Sequence, residues 1–303
     1  MDDSQRGKQG VLLAVAAFGW WGLVPIYFKA LAGVDPLEVL AHRVLWSVPL
    51  AGLLLALQGG GFAGLWPGLA QRGVLRTLLL SSLLIAGNWL LFIHAVDSGQ
   101  VLQSSLGYFV APLVNVLLGM AFLGERPSRW QYLALGLAGL GTLNLVLRQD
   151  GLPWISLTLA VSFSLYGLLR KQVAIESVAG LFIETLILAP LSLAWLVYET
   201  WRGGLAFVHG GWEVSLLLLA AGIITTLPLI WFTAGARRIP LFMLGVCQYI
   251  APSLQFLLAV WLYDEPFSGT QLTTFALVWS GLAVFVLSGL PIWGLARSRR
   301  RAG

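Results

Sequence analysis

Residues 11–28 read VLLAVAAFGWWGLVPIYF, an apolar run interrupted only by glycine and proline. A helix needs about 20 such residues to cross the hydrocarbon core of a bilayer. The pattern recurs along the chain. Charges and Gly/Pro breaks divide it into ten such segments, at residues 9–30, 36–57, 74–96, 100–123, 129–147, 152–170, 178–198, 213–235, 240–263 and 270–290. Most connections are tight, and the two longer ones, 58–73 and 199–212, are rich in Gly and Trp. The first segment exceeds the apolar region of about 7–15 residues in a secretory signal. It is therefore read as an uncleaved span.

Composition agrees with this pattern. Hydrophobic residues make up 58% of the chain and charged residues 10%, with a mean hydropathy of +0.84. Soluble domains carry about 25% charged residues. The expected fold is an all-α integral membrane protein of ten transmembrane helices, with lipid as the solvent for much of its surface. The net charge of +5 does not point to nucleic acid, because the basic residues are scattered through short loops and the C-terminal tail.

Their distribution predicts orientation instead. Of 18 Lys and Arg, Arg43 falls inside a span, and Lys29, Arg148 and Arg202 fall on one side, leaving fourteen on the other. Basic loops stay cytoplasmic, so both termini are expected inside a bacterial inner membrane. The single cysteine, Cys247, excludes an intramolecular disulfide. His42, His94 and His209 are too dispersed to make a recognisable metal site. The chain has no HExxH sequence and no Walker A sequence. No cofactor, no metal and no enzymatic activity are expected.

The chain also repeats itself. YFVAPLVNVLLGMAFLGE (108–125) aligns without gaps to QYIAPSLQFLLAVWLYDE (248–265). Ala111/Ala251, Pro112/Pro252 and Glu125/Glu265 differ by 140, as do Gly141/Gly281, and Arg43 pairs with Glu184 at 141. The halves are placed at 1–148 and 149–303. Each holds five spans, an odd number, so they are expected to enter the membrane in opposite directions. Inverted repeats of this kind are a transporter architecture with the solute site near the midplane.

Several motifs resemble the RarD branch of the EamA family, in the drug/metabolite transporter superfamily. They are WGLVPIYFK (21–29), EVLAHRVLWS (38–47), GNWLLFIHAV (87–96), SLGYFVAPLVNVLLGMAFLGER (105–126) and TFALVWSGLAVFV (274–286). The second half departs from the pattern at Asp264, where glycine is usual before the glutamate. The resemblance implies ten spans and export of small metabolites or drugs, amphenicols among them.

Candidate site residues follow from polarity at depth. Arg43 lies eight residues beyond Asp35, about 12 Å into the membrane at 1.5 Å per residue. Facing lipid there costs roughly 3 kcal/mol or more, so Arg43 is expected to face a cavity or a partner. Glu184 is equally deep beyond Glu176 and is the expected partner, unless the pair shares a solute or merely ties two helices together. His42 is expected either to handle protons or to bond Glu38 at i, i+4.

Asn88, Tyr108, Gln248 and Tyr249 are expected to line a cavity, with Trp89, Asn115 and Gln255 as weaker candidates. Trp20 lies too deep for an interfacial belt and is expected to stack a solute. Pro112 and Pro252 are expected to break two helices at equivalent points, as gating kinks or packing features. Glu125 and Glu265 are read as helix-start carboxylates. The leading function is a secondary carrier for small amphipathic molecules, with membrane lipid around it and protons as a candidate coupling ion. The alternatives are a lipid-carrier flippase, which needs a laterally open groove, and a membrane enzyme or scaffold.

Overall fold

A computed structural model describes residues 3–98, 100–147, 153–264 and 268–288. These residues are overwhelmingly helical. The long helices are α1 (Asp3–Ala30), α2 (Pro36–Ala56), α4 (Val74–Asp97), α5 (Val101–Leu123), α6 (Arg129–Val146), α7 (Trp154–Gln172), α8 (Ser177–Arg202), α10 (Gly211–Ala236) and α13 (Gly269–Ser288). α11 (Leu241–Gln248) and α12 (Ile250–Trp261) follow one another directly. Short helices α3 (Leu65–Leu69) and α9 (Ala206–His209) lie in the two longer connections. Eight described segments are long and apolar enough to cross a membrane. α6 and α7 are not among them, α6 because its first turn is Arg-Trp-Gln-Tyr, α7 because it carries three serines and ends in Arg-Lys-Gln.

Contacts between loops assign the ends of the bundle. At one end, Lys29 Nζ lies 3.4 Å from the ring centroid of Tyr263. There too Glu38 at the start of α2 accepts from the N–H groups of Ala206 and Phe207 at 2.9 and 2.7 Å. Asn144 near the end of α6 donates to Thr270 O at 3.1 Å at the start of α13. We call this the α1–α2 end. At the opposite end, Lys171 Nζ donates to the carbonyls of Ala236 and Ile239, and Arg237 Nη1 to those of Val173 and Ile175. Each of these cations closes a tight connection whose carbonyls have no helical partner.

Helices at matching positions in the two halves pack together: α2 on α8, α5 on α11, and α6 on α13. Other contacts come in pairs, α1 on α10 with α7 on α4, α1 on α12 with α7 on α5, and α2 on α10 with a smaller contact of α8 on α4. Gly141, at the end of ALGLAGLG (134–141), and Gly281 in α13 show how closely backbones approach. A Cβ on Gly141 would meet Thr274 O at 2.9 Å, and one on Gly281 would meet Ala134 O at 2.6 Å. Both residue pairs are 140 apart, so one contact occurs twice. The helix starts repeat as well: Ser128 exchanges hydrogen bonds with Gln131, and Ser268 with Gln271, each satisfying amide groups of a first turn.

Asp264, where glycine was expected, has φ +49, close to the +63 of Gly124 at the equivalent position. The turn needs left-handed backbone, and aspartate is among the few side chains that tolerate it. The two prolines behave differently from expectation. α5 runs unbroken through Pro112, whereas the helix holding Pro252 is interrupted at Tyr249, which takes a tighter bond to Val246 O at 3.2 Å. A proline removes one rung from a helix, and one missing rung need not end it.

Candidate functional site

A cavity of about 340 Å³ lies between the halves. α1 contributes Phe18, Trp21, Val24, Pro25 and Phe28, α2 contributes Arg43, and α4 contributes Ile85, Asn88, Trp89 and Phe92. Tyr108 of α5, Phe163 of α7, Ile224 and Leu229 of α10, and Gln248, Ala251 and Gln255 of α11 and α12 complete the wall. The volume suits a small molecule, and a mostly apolar wall with few polar groups is what such sites share.

The cavity faces the α1–α2 end. Phe28, in the last turn of α1, is exposed, while Phe18 and Leu229 at the floor are buried. Beyond the floor the bundle is filled by one large cluster that includes Ala14, Tyr166, Leu181, Phe232, Leu241 and Leu244.

Besides Pro49 of α2, whose freed carbonyl is that of Leu45 outside the wall, four helices of the wall carry a proline: Pro25, Pro112, Pro228 and Pro252. Each removes the donor for the carbonyl four residues earlier, which belongs to Trp21, Tyr108, Ile224 and Gln248. All four of those residues line the cavity. The Trp21 carbonyl is taken by Gln255 Nε2 at 3.1 Å across the halves.

Arg43 enters the cavity as expected from its depth, but without Glu184. Its Nε donates to Thr225 Oγ1 at 2.9 Å, and its guanidinium carbon lies 4.6 Å from the Trp89 ring centroid and 5.8 Å from that of Phe28. Asn88 spends both amide hydrogens on Leu159 O and Ser162 Oγ, each at 2.9 Å. Gln248 Oε1 accepts from Asn115 Nδ2 at 2.8 Å. Arg43, Asn88, Tyr108 and Gln248 thus share one cavity, together with Trp89 and Gln255.

Glu184, His42, Trp20 and Tyr249 lie outside that wall. Glu184 is 2% exposed and has its own cation: Arg170 Nε stands 3.6 Å from its Oε1. It also accepts from Ser81 Oγ and, at 3.4 Å, from Tyr166 OH. The expected Arg43–Glu184 pair is therefore replaced by Arg170–Glu184. α2 and α8 do pack together, but Arg43 turns to α4 and α10 while Glu184 turns to α4 and α7.

His42 is buried between Trp46, which donates to its Nδ1 at 2.9 Å, and Phe207, with ring centroids 4.7 Å apart. Its Nε2 stands 4.0 Å from Glu38, whose carboxylate is occupied by the α9 amides. The expected Glu–His bond thus becomes a loose contact. Trp20 packs edge-on against Trp231 at 5.7 Å. Tyr249 is buried, with its OH 3.4 Å from Phe109 O. Thr225 and Arg170 were missed as site partners. Thr225 sits in the polar pair of GIITTLPLI, a readable signal, whereas Arg170 resembled a loop charge.

Glu125 does stabilise a helix start, but that of α11 in the other half. It accepts from Leu241 and Phe242 N–H at 2.6 and 3.0 Å. Ser128 caps the next helix in its place. Glu265 lies outside the described residues.

Residues 8–147 match the EamA-like transporter family. The chain is 43% identical to an uncharacterized transporter of Vibrio cholerae, covering 98% of each chain. It is 43% identical to Protein RarD of Escherichia coli, over 95% of this chain and 97% of that one. It is 35% identical to the Chloramphenicol-sensitive protein RarD of Pseudomonas aeruginosa, over 97% and 98%. One crystal structure, 21% identical, superposes with a TM-score of 0.67 over 92% of this chain and 97% of that one, a likeness of fold.

Proposed function

Because this chain belongs to the RarD-type branch of the EamA transporter family, we propose that it is a secondary carrier working by alternating access around the cavity. It moves small amphipathic solutes outward across the inner membrane. Amphenicol-like molecules are one such class, on the strength of the Pseudomonas relative's name. The observation that carries the reading is the cavity itself. Both halves build it, it faces one end, and a single buried cluster closes it from the other.

The ten segments act as spans, α6 and α7 included, since their polar ends lie at the bundle ends and their middles are apolar. The halves 1–148 and 149–303 act as inverted repeats. Supporting this, α2/α8, α5/α11 and α6/α13 pack across the halves, and the Gly141 and Gly281 contacts occur twice. Such a pair of repeats rocks about a fixed midplane site. The α1–α2 end faces outward, and the end rich in Lys and Arg faces the cytoplasm.

Thiol labelling tests this orientation in a Cys247→Ser background. Gly204→Cys, in the exposed α8–α9 connection, should react on intact cells with a membrane-impermeant reagent. Gly7→Cys, where the space around the glycine is open, should react only after permeabilisation. The reverse pattern would overturn the orientation and the outward direction with it.

A further inference from the structure

Among the described residues the cavity presents one full charge, and that charge has no counter-ion. Among the described residues no carboxylate lies within 4.0 Å of Arg43. Its one hydrogen bond is Nε to Thr225. Nη1 and Nη2 make none with the described residues. The nearby carboxylates are committed elsewhere: Glu184 to Arg170, Ser81 and Tyr166, and Glu38 to the amides of Ala206 and Phe207.

A guanidinium at this depth costs several kcal/mol unless something compensates it. The Trp89 face supplies part of that through a cation–π contact. With Nε anchored on Thr225, the Nη edge is left over. That edge is a planar two-donor fork, which matches the two oxygens of an acid group.

The other polar groups of the wall are neutral. Asn88 has only Oδ1 left to offer a solute, since its hydrogens are spent. Gln248 has only Nε2, since Oε1 is taken. A monoanion would balance Arg43 to neutrality. A dianion such as phosphate would leave a net negative charge in an apolar cavity, which is costly.

We infer that the solute carried by this cavity is a monoanionic organic acid, with its carboxylate or sulfonate on the Nη edge of Arg43 and a compact apolar body among Trp21, Phe28 and Trp89. This rests on reading the cavity as the carrier's solute site and narrows its substrate class to acids, setting aside neutral solutes such as the amphenicols.

A matched pair tests it: 3-phenylpropionate and its neutral isostere 3-phenylpropionamide, titrated by calorimetry into the detergent-solubilised full chain at pH 7. The acid should bind at least about ten-fold more tightly than the amide, roughly the strength of one charge-assisted contact. Arg43→Gln should erase that preference while leaving amide binding in place, and Arg43→Lys should keep part of it. Equal binding of acid and amide to the wild type overturns the inference and leaves the cavity as a solute site. So does a preference that survives in a folded Arg43→Gln protein. Binding of neither compound to the folded wild type counts against both the acid subsite and the carrier reading.

Discussion

Replacing Arg170 by methionine should destabilise the protein by about 3–5 kcal/mol, because the carboxylate of Glu184 is then left buried without its cation. Both side chains are almost fully enclosed, at 1% and 2% exposure, so neither can recover water where it stands. Glu184→Met should do similar harm by stranding the guanidinium. The double change should cost much less than the sum, since a buried ion pair replaced by apolar side chains of like volume is often close to neutral. Ser81 and Tyr166 then lose an acceptor, which keeps the double variant somewhat below wild type. By contrast, Arg43→Gln and Glu184→Gln should add to within about 0.5 kcal/mol, as changes without shared partners do. Thermal or denaturant unfolding in detergent measures all of these. Additivity of the Arg170 and Glu184 changes, or strong coupling of Arg43 to Glu184, would contradict the pairing seen here.

Glu125→Ala should cost about 2–4 kcal/mol, two charge-assisted bonds to buried backbone amides at once. α11 has eight residues, so its first turn is a large part of it. The loss falls on the element that carries Gln248 into the cavity. Glu125→Gln should recover part of the stability, because its carbonyl can still accept one bond. A loss no larger than that of an exposed substitution would show that the α11 amides are satisfied in another way.

What the sequence disclosed and what it concealed separate by range of interaction. Eight of the ten expected spans were legible, as helices long and apolar enough to cross a membrane, because burial in hydrocarbon forces a long uncharged run, and that signal is local. The depth of Arg43 was legible for the same reason, as was the polarity of Asn88, Tyr108 and Gln248 within apolar surroundings. Its partner was not legible. The repeat pointed to Glu184 as the equivalent position, yet equivalence in a sequence repeat does not require contact.

The rotational phase of α2 and α8 decides which neighbours the two side chains meet, and phase follows from packing of all the helices together. Arg170 was hidden in another way: in the last turn of α7 it looks like a solvated basic end, and only the fold of α8 over it makes it a core residue. Glu125 carried a correct chemical reading with the wrong recipient, since sequence neighbours suggested α6 and the tertiary fold supplied α11. Four prolines were visible as residues, but the convergence of their freed carbonyls on one cavity needed the helices in place.

Alternating access is the central claim, and one cavity position can test it without knowledge of the solute. Ile224 lines the cavity and is only partly buried. With Cys247→Ser as background, Ile224→Cys can be reacted with a small membrane-impermeant methanethiosulfonate, first on right-side-out vesicles and then on inside-out vesicles. The account predicts labelling from both sides, faster from the outside because the cavity faces that end in the present structure. Labelling from the outside alone, however long the exposure, would make the cavity a fixed vestibule and contradict the carrier mechanism.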